Sequence, residues 1–144
     1  FVSCSKSKRI NNEIDYIVYG TYCGRCNSNC IRMFKLDGEK LLLDTSDSFF
    51  RNDNNLENAT GKILKKEQFE QATKLADSLP PVFLKSDDRT FGYPDELDQC
   101  GIYLQIKVGD KIKTSFIDTD TTSLPLELRE YAELLLKSCK FKPL

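Results

Sequence analysis

The 144-residue chain contains no histidine and no tryptophan, one methionine, and only seven glycines and five prolines. Without an imidazole to act as general base, a Ser-His-Asp or Cys-His nucleophilic mechanism is excluded. The few glycines form no phosphate-cradling loop. Charge of one sign is not in excess either, since 21 Lys and Arg against 22 Asp and Glu leave a net charge of −1. No basic run extends past the Lys6–Arg9 neighbourhood, so nucleic acid is not an expected partner. No apolar run approaches the ~18 residues a membrane-crossing helix requires. A hydrophobic content of 40% is enough for one packed core, and no repeat of fixed period or low-complexity tract divides the chain.

Cysteine, by contrast, is plentiful, with six residues. Three fall in "YCGRCNSNC", residues 22–30, and Cys100 stands far along the chain. The Cys23-Gly24-Arg25-Cys26 spacing suits thiol–disulfide exchange, but that chemistry wants a helix directly after the motif to lower the thiolate pKa. Here Asn27-Ser28-Asn29 is turn-like and Ile31-Arg32-Met33-Phe34 reads as a strand. A zinc site built from Cys23, Cys26, Cys30 and Cys100 would have three ligands on one loop and no second Cys-x-x-Cys. The favoured expectation is therefore structural, with bridges among these four cysteines stapling two loops, no cofactor and no resident metal. Four cysteines permit three pairings, and sequence does not choose among them. Cys139 lies on an apolar helical stripe and reads as a small buried hydrophobe.

Alternation and turn signals give the order of elements. Ile14, Tyr16, Val18 and Tyr22 mark a strand over residues 14–22, and Ile31–Leu36 a second. Asp37-Gly38, as a tight turn with positive φ at both positions, leads into a third strand at Leu41–Leu43. Residues 44–61 read as a long polar loop. Phe69, Ala72, Leu75, Ala76 and Leu79 predict an amphipathic helix over residues 66–79, stopped by Pro80-Pro81. After a loop over residues 86–100, Ile102, Leu104, Ile106 and Val108 face inward while Tyr103, Gln105 and Lys107 face away. Gly109-Asp110 turns the chain into Lys111–Ile117. A last helix carries Leu124, Leu128, Tyr131, Ala132, Leu135 and Cys139 on one stripe, with Pro125 in its first turn. The expected fold is α+β: an antiparallel sheet of about five strands in the order β-β-β-α-β-β-α, with two helices packed on one face.

Acidic residues gather in the two long loops (Asp44, Asp47 and Asp53; Asp87, Asp88, Asp95, Glu96 and Asp98) and read as solvated turn formers. In "TFGYPDELDQCGIYLQI", residues 90–106, the aromatic turn Phe91-Gly92-Tyr93-Pro94-Asp95 offers Phe91, Tyr93 and Asp95 as partner-binding candidates. A duller role is open to Phe91, as a lid folded back on the core.

The start of the chain, Phe1-Val2-Ser3-Cys4, resembles a bacterial lipobox, in which the cysteine is acylated after signal removal. That resemblance implies lipid attachment at Cys4, with residues 1–13 a signal remnant and tether and residues 14–144 a single domain. The strand, the "CNSNC" loop, "IRMFKL", Asp37-Gly38 and the later "FGYPDELDQCGIYLQI" and "DTDTTSLPLEL" resemble uncharacterised small envelope lipoproteins of Bacteroidetes-like bacteria. Ile31 stands where those domains tend to carry proline after the second loop cysteine. The resemblance implies a lipoprotein of the bacterial cell envelope with an envelope protein or component as partner. Ser5-Lys6-Ser7-Lys8 lacks the acidic residues of surface-exported lipoproteins, which implies a periplasm-facing domain. The expected function is a non-catalytic binding or interaction module. The alternative is a thiol-disulfide oxidoreductase or zinc-binding protein using the Cys23–Cys30 loop.

Overall fold

The structure, a computed structural model, describes residues 8–23, 31–44, 61–85, 87, 89–94 and 100–140. Its strands are β1 (Tyr16–Cys23), β2 (Ile31–Leu36), β3 (Leu41–Asp44), β4 (Gly61–Ile63), β5 (Arg89–Phe91), β6 (Cys100–Val108) and β7 (Lys111–Asp118). The helices are α1 (Lys66–Asp77), α2 (Val82–Lys85) and α3 (Leu126–Cys139), with a 3₁₀ turn at Thr121–Ser123. One sheet holds every strand in the order β4-β3-β2-β1-β6-β7-β5.

This α+β architecture corrects the expected five-stranded antiparallel sheet with two helices. The sheet has seven strands and is mixed, because β5 runs parallel to β7, pairing Phe91 with Ile117. Both added strands are three residues long and sit at the sheet's edges. A segment that short contains no measurable period, so it reads as loop. The third helix, α2, is a single turn after Pro80-Pro81, where the N–H groups of Phe83 and Leu84 donate to the carbonyls of Pro80 (3.1 Å) and Pro81 (3.0 Å). Proline ends one helix and suits the first turn of another, and the sequence shows only the first of these roles.

The packing follows from the two-residue period of the strands. Ile17 and Tyr19 of β1, Phe34 and Leu36 of β2, Leu41 and Leu43 of β3, Leu104 and Ile106 of β6 and Ile117 of β7 form one buried face. Against it lie Ala72, Leu75 and Ala76 of α1 and Leu128, Tyr131, Ala132 and Leu135 of α3. Tyr131 also joins the two helices, its hydroxyl donating to the Leu75 carbonyl over 2.8 Å. Burial pushes the Tyr131 and Tyr19 phenols well above their ordinary pKa, so both stay neutral hydrogen-bonding groups.

The opposite face carries a second, smaller core of Val18, Met33 and Tyr103, ringed by Tyr16, Tyr22, Ile31 and Phe116. Tyr103 and Gln105, which alternate with the apolar residues of β6, are buried as well. Their polar atoms satisfy one another: Gln105 Nε2 donates to the Tyr103 hydroxyl (3.0 Å), and the Tyr16 hydroxyl donates to Gln105 Oε1 (3.2 Å). The Lys35 ammonium lies 4.6 Å from the Tyr16 ring centroid. Tyr22 lies over Gly101, where a Cβ would run into its ring.

Asp37-Gly38 does turn β2 into β3, but not with positive φ at Gly38, since among the described glycines only Gly92 and Gly109 have it. Instead Asp37 Oδ1 accepts from the N–H groups of Glu39 (2.8 Å) and Lys40 (3.0 Å). Gly38 is required by close approach: its N–H donates to the Lys8 carbonyl (2.6 Å), and a Cβ there would strike the Arg9 carbonyl. Residues 8–10 of the expected tether thus lie against the domain. Arg9 pairs with Asp15 over 2.9 Å, and Ile10 packs on the main core.

Tyr131→Phe removes the buried hydroxyl while keeping the ring, and is expected to lower unfolding stability by about 1 kcal/mol in urea titration. Leu104→Ala, which opens a cavity beneath the helices, should cost about 3 kcal/mol in the same titration.

Candidate functional site

Register brings several singular features to one end of the sheet. Cys23 closes β1 opposite Cys100, which opens β6, and Gly101 lies opposite Asp118 at the end of β7. Phe91, beside Ile117, closes β5 at the same end. The turn at residues 92–94 and the 3₁₀ turn at Thr121–Ser123 extend from these strand ends.

Cys23 and Cys100, 77 positions apart, are joined by a disulfide. The two strands already place the residues side by side, so the bridge locks a pairing that the ladder makes. It joins the end of β1 to the start of β6, as expected for a staple between the loop after the first strand and the loop before the β6–β7 hairpin. Cys23 is thereby taken out of a Cys-x-x-Cys pair. Cys4, Cys26, Cys30 and Asp95 lie outside the described residues, as do Asp47, Asp53, Asp88, Glu96 and Asp98. Among the described residues Cys139 is a free thiol, and it is buried under α3. Burial pushes that thiol up to about 12, against the lowering effect of the Arg32 charge, so it is chemically quiet near neutrality. No three Cys, Asp or Glu side chains among the described residues come together in a geometry that could hold a metal ion.

The partner-binding candidates separate. Phe91 is buried and meets Phe83 edge-on, with ring centroids 5.4 Å apart. Tyr93 is 68% exposed. Between them Gly92 takes φ 72°, a conformation that few side chains tolerate, and this reverses the chain so that neighbouring rings point to opposite environments.

Asp118 holds this turn, and sequence reading had not singled it out. Its Oδ2 accepts from the Tyr93 N–H (2.9 Å) and the Ser123 hydroxyl (2.8 Å), and Oδ1 accepts from the Asp120 N–H (2.9 Å). Burial alone would raise the Asp118 pKa, but these hydrogen bonds to the ionised form hold it below the usual carboxylate value. Asp120 continues the pattern by capping the 3₁₀ turn, accepting from the Thr122 N–H (3.1 Å) and hydroxyl (2.6 Å). The available signal was "DTDTTS", residues 118–123, a run of side chains that cap and turn backbone. Chemically, the arrangement is a hydrogen-bonded turn presenting one exposed phenol ring at the end of the sheet that also carries the cystine.

Replacing both Cys23 and Cys100 by serine should lower stability by about 4 kcal/mol in denaturant unfolding, because the bridge closes a long loop in the unfolded chain. Asp118→Asn should cost about 2 kcal/mol at pH 7, since it removes the charge from an acceptor of three hydrogen bonds. The depressed Asp118 pKa stabilises the fold fully above the unfolded value of about 3.9, and that contribution is lost as pH falls through the lower folded value. The stability gap between wild type and Asp118→Asn should therefore be constant near neutrality and narrow below about pH 4, as followed by acid titration of circular dichroism.

No family model matches the chain, and no curated protein matches it either.

Proposed function

We propose that this chain is a non-catalytic binding module held at the bacterial cell envelope by a lipid on Cys4 and facing the periplasm, with an envelope protein or component as its partner. The observation that carries this reading is the Cys23–Cys100 bridge. Cystines persist in oxidising compartments, whereas the thiol-reducing systems of the cytosol keep such pairs open. Phe1-Val2-Ser3-Cys4 supplies an acylation point for such a location, and bacterial lipoprotein processing adds enough acyl chains for stable anchoring. Binding, rather than turnover, is supported by Tyr93, which is exposed on a turn pinned by Asp118. An aromatic ring presented on a rigid element anchors a partner at small entropic cost.

Mass spectrometry of the protein purified from its native membrane tests the reading. The expected result is an acylated Cys4 peptide together with a cystine joining the peptides of Cys23 and Cys100. An unmodified Cys4 with both other thiols reduced would remove the envelope assignment. Rapid labelling of Cys23 or Cys26 by a thiol probe at pH 6 would put thiol–disulfide exchange in its place.

A further inference from the structure

A groove of about 440 Å³ runs between the C-terminal end of α1 and the outer face of α3. Ser78 and Pro80 form one wall, Tyr131 and Leu134 contribute apolar surface, and Glu127, Glu130 and Glu133 line the α3 side with Lys137. Glu127, Glu130, Leu134 and Lys137 recur at intervals of three and four residues, so they form one exposed stripe beside the buried stripe of α3.

The geometry of the groove is fixed from below. The Tyr131 hydroxyl reaches across to the Leu75 carbonyl and sets the spacing of the two helices. Leu134 is 39% exposed and Leu126, two turns earlier, 75% exposed. Apolar side chains are thus left facing solvent among carboxylates. Glu133 accepts from the Thr121 hydroxyl (3.2 Å), while Glu127 and Glu130 make no hydrogen bond or ion pair with another described residue. The last turn of α1 ends at the same wall. Three carboxylates against one lysine on its lining make the groove electronegative in a chain whose net charge is only −1.

We propose that this groove docks a short cationic segment of a partner protein, with an apolar side chain seated on Tyr131 and Leu134 and flanking lysines or arginines facing Glu127 and Glu130. Charge complementarity selects the occupant: an acidic segment would meet like charge, and a purely apolar one would bury carboxylates without partners. Length is consistent, because the stripe from Glu127 to Lys137 spans about 15 Å of helix, the reach of four to five residues of extended chain. The proposal deepens the binding-module reading by naming a surface and a partner chemistry. It rests on that reading only for the claim that the domain works by binding.

Random nine-residue peptides displayed on phage, panned against the full-length chain, test it. Enrichment of sequences with lysine or arginine on both sides of one apolar residue is expected. A synthetic peptide of the enriched sequence, titrated into isotopically labelled protein, should shift amide resonances of residues 78–80 and 127–137. Its binding should weaken at least tenfold in Glu127→Lys/Glu130→Lys, two exposed positions whose replacement leaves the buried face of α3 intact. Circular dichroism of that variant confirms its fold, and Glu127→Gln/Glu130→Gln should weaken binding by an intermediate factor. Enrichment of neutral or acidic sequences, no enrichment, or binding unchanged in the lysine variant would overturn the proposal. Shifts confined to residues 92–94 would overturn the groove while leaving the binding-module reading intact, whereas an unmodified Cys4 would remove the envelope assignment and leave the groove standing.

Discussion

The ladder between β1 and β6 is the constraint on which the rest of the molecule depends. It runs from Tyr16 opposite Lys107 to Cys23 opposite Cys100, and it is the seam between two halves of the chain. On one side β2, β3 and β4 follow β1 outward; on the other β7 and β5 follow β6. Either half alone would leave an unpaired central edge and half of an apolar face. Joined, they present a continuous surface wide enough for α1 and α3 to cover together. Tyr19 illustrates the dependence: it sits at the middle of the ladder opposite Leu104, stacks on Phe34 at 5.2 Å, and lies beneath the helices.

What was legible in the sequence is what local chemistry dictates. The long strands β1, β2, β6 and β7 carry enough residues for alternation to be seen, and α1 and α3 enough for a helical stripe. What was hidden depends on neighbours distant in the chain. Arg89-Thr90-Phe91 becomes a strand because β7 offers it a parallel edge, and Gly61-Lys62-Ile63 because β3 does. Tyr103 and Gln105 look like solvent-facing residues until the second core closes around them. Gly38 suggested a left-handed turn, whereas its lack of a side chain makes room for the backbone at Lys8 and Arg9.

The candidate site divides along the same line. Residue types marked Cys23 and Cys100 as members of a set, but choosing that pair needed the strand register. The exposed Tyr93 and buried Phe91 stand two positions apart, and only the reversal at Gly92 separates their environments. Asp118 escaped notice because a carboxylate in a turn-rich run has many ordinary uses. Its three hydrogen-bond donors come from residues both before and after it in the chain, and it becomes a hub only once β5 lies beside β7.

The bridge has a consequence for the chronology of assembly. Cys23 emerges from the ribosome long before Cys100, in the company of Cys26 and Cys30. Where thiols are oxidised, a partner nearby in the sequence carries a smaller loop-closure cost than one 77 positions away. A bond made early from Cys23 to Cys26 or Cys30 would have to be reopened by attack of a neighbouring thiolate before the Cys23–Cys100 bridge could form. The register of the central ladder selects the partner, because it sets Cys100 directly opposite Cys23.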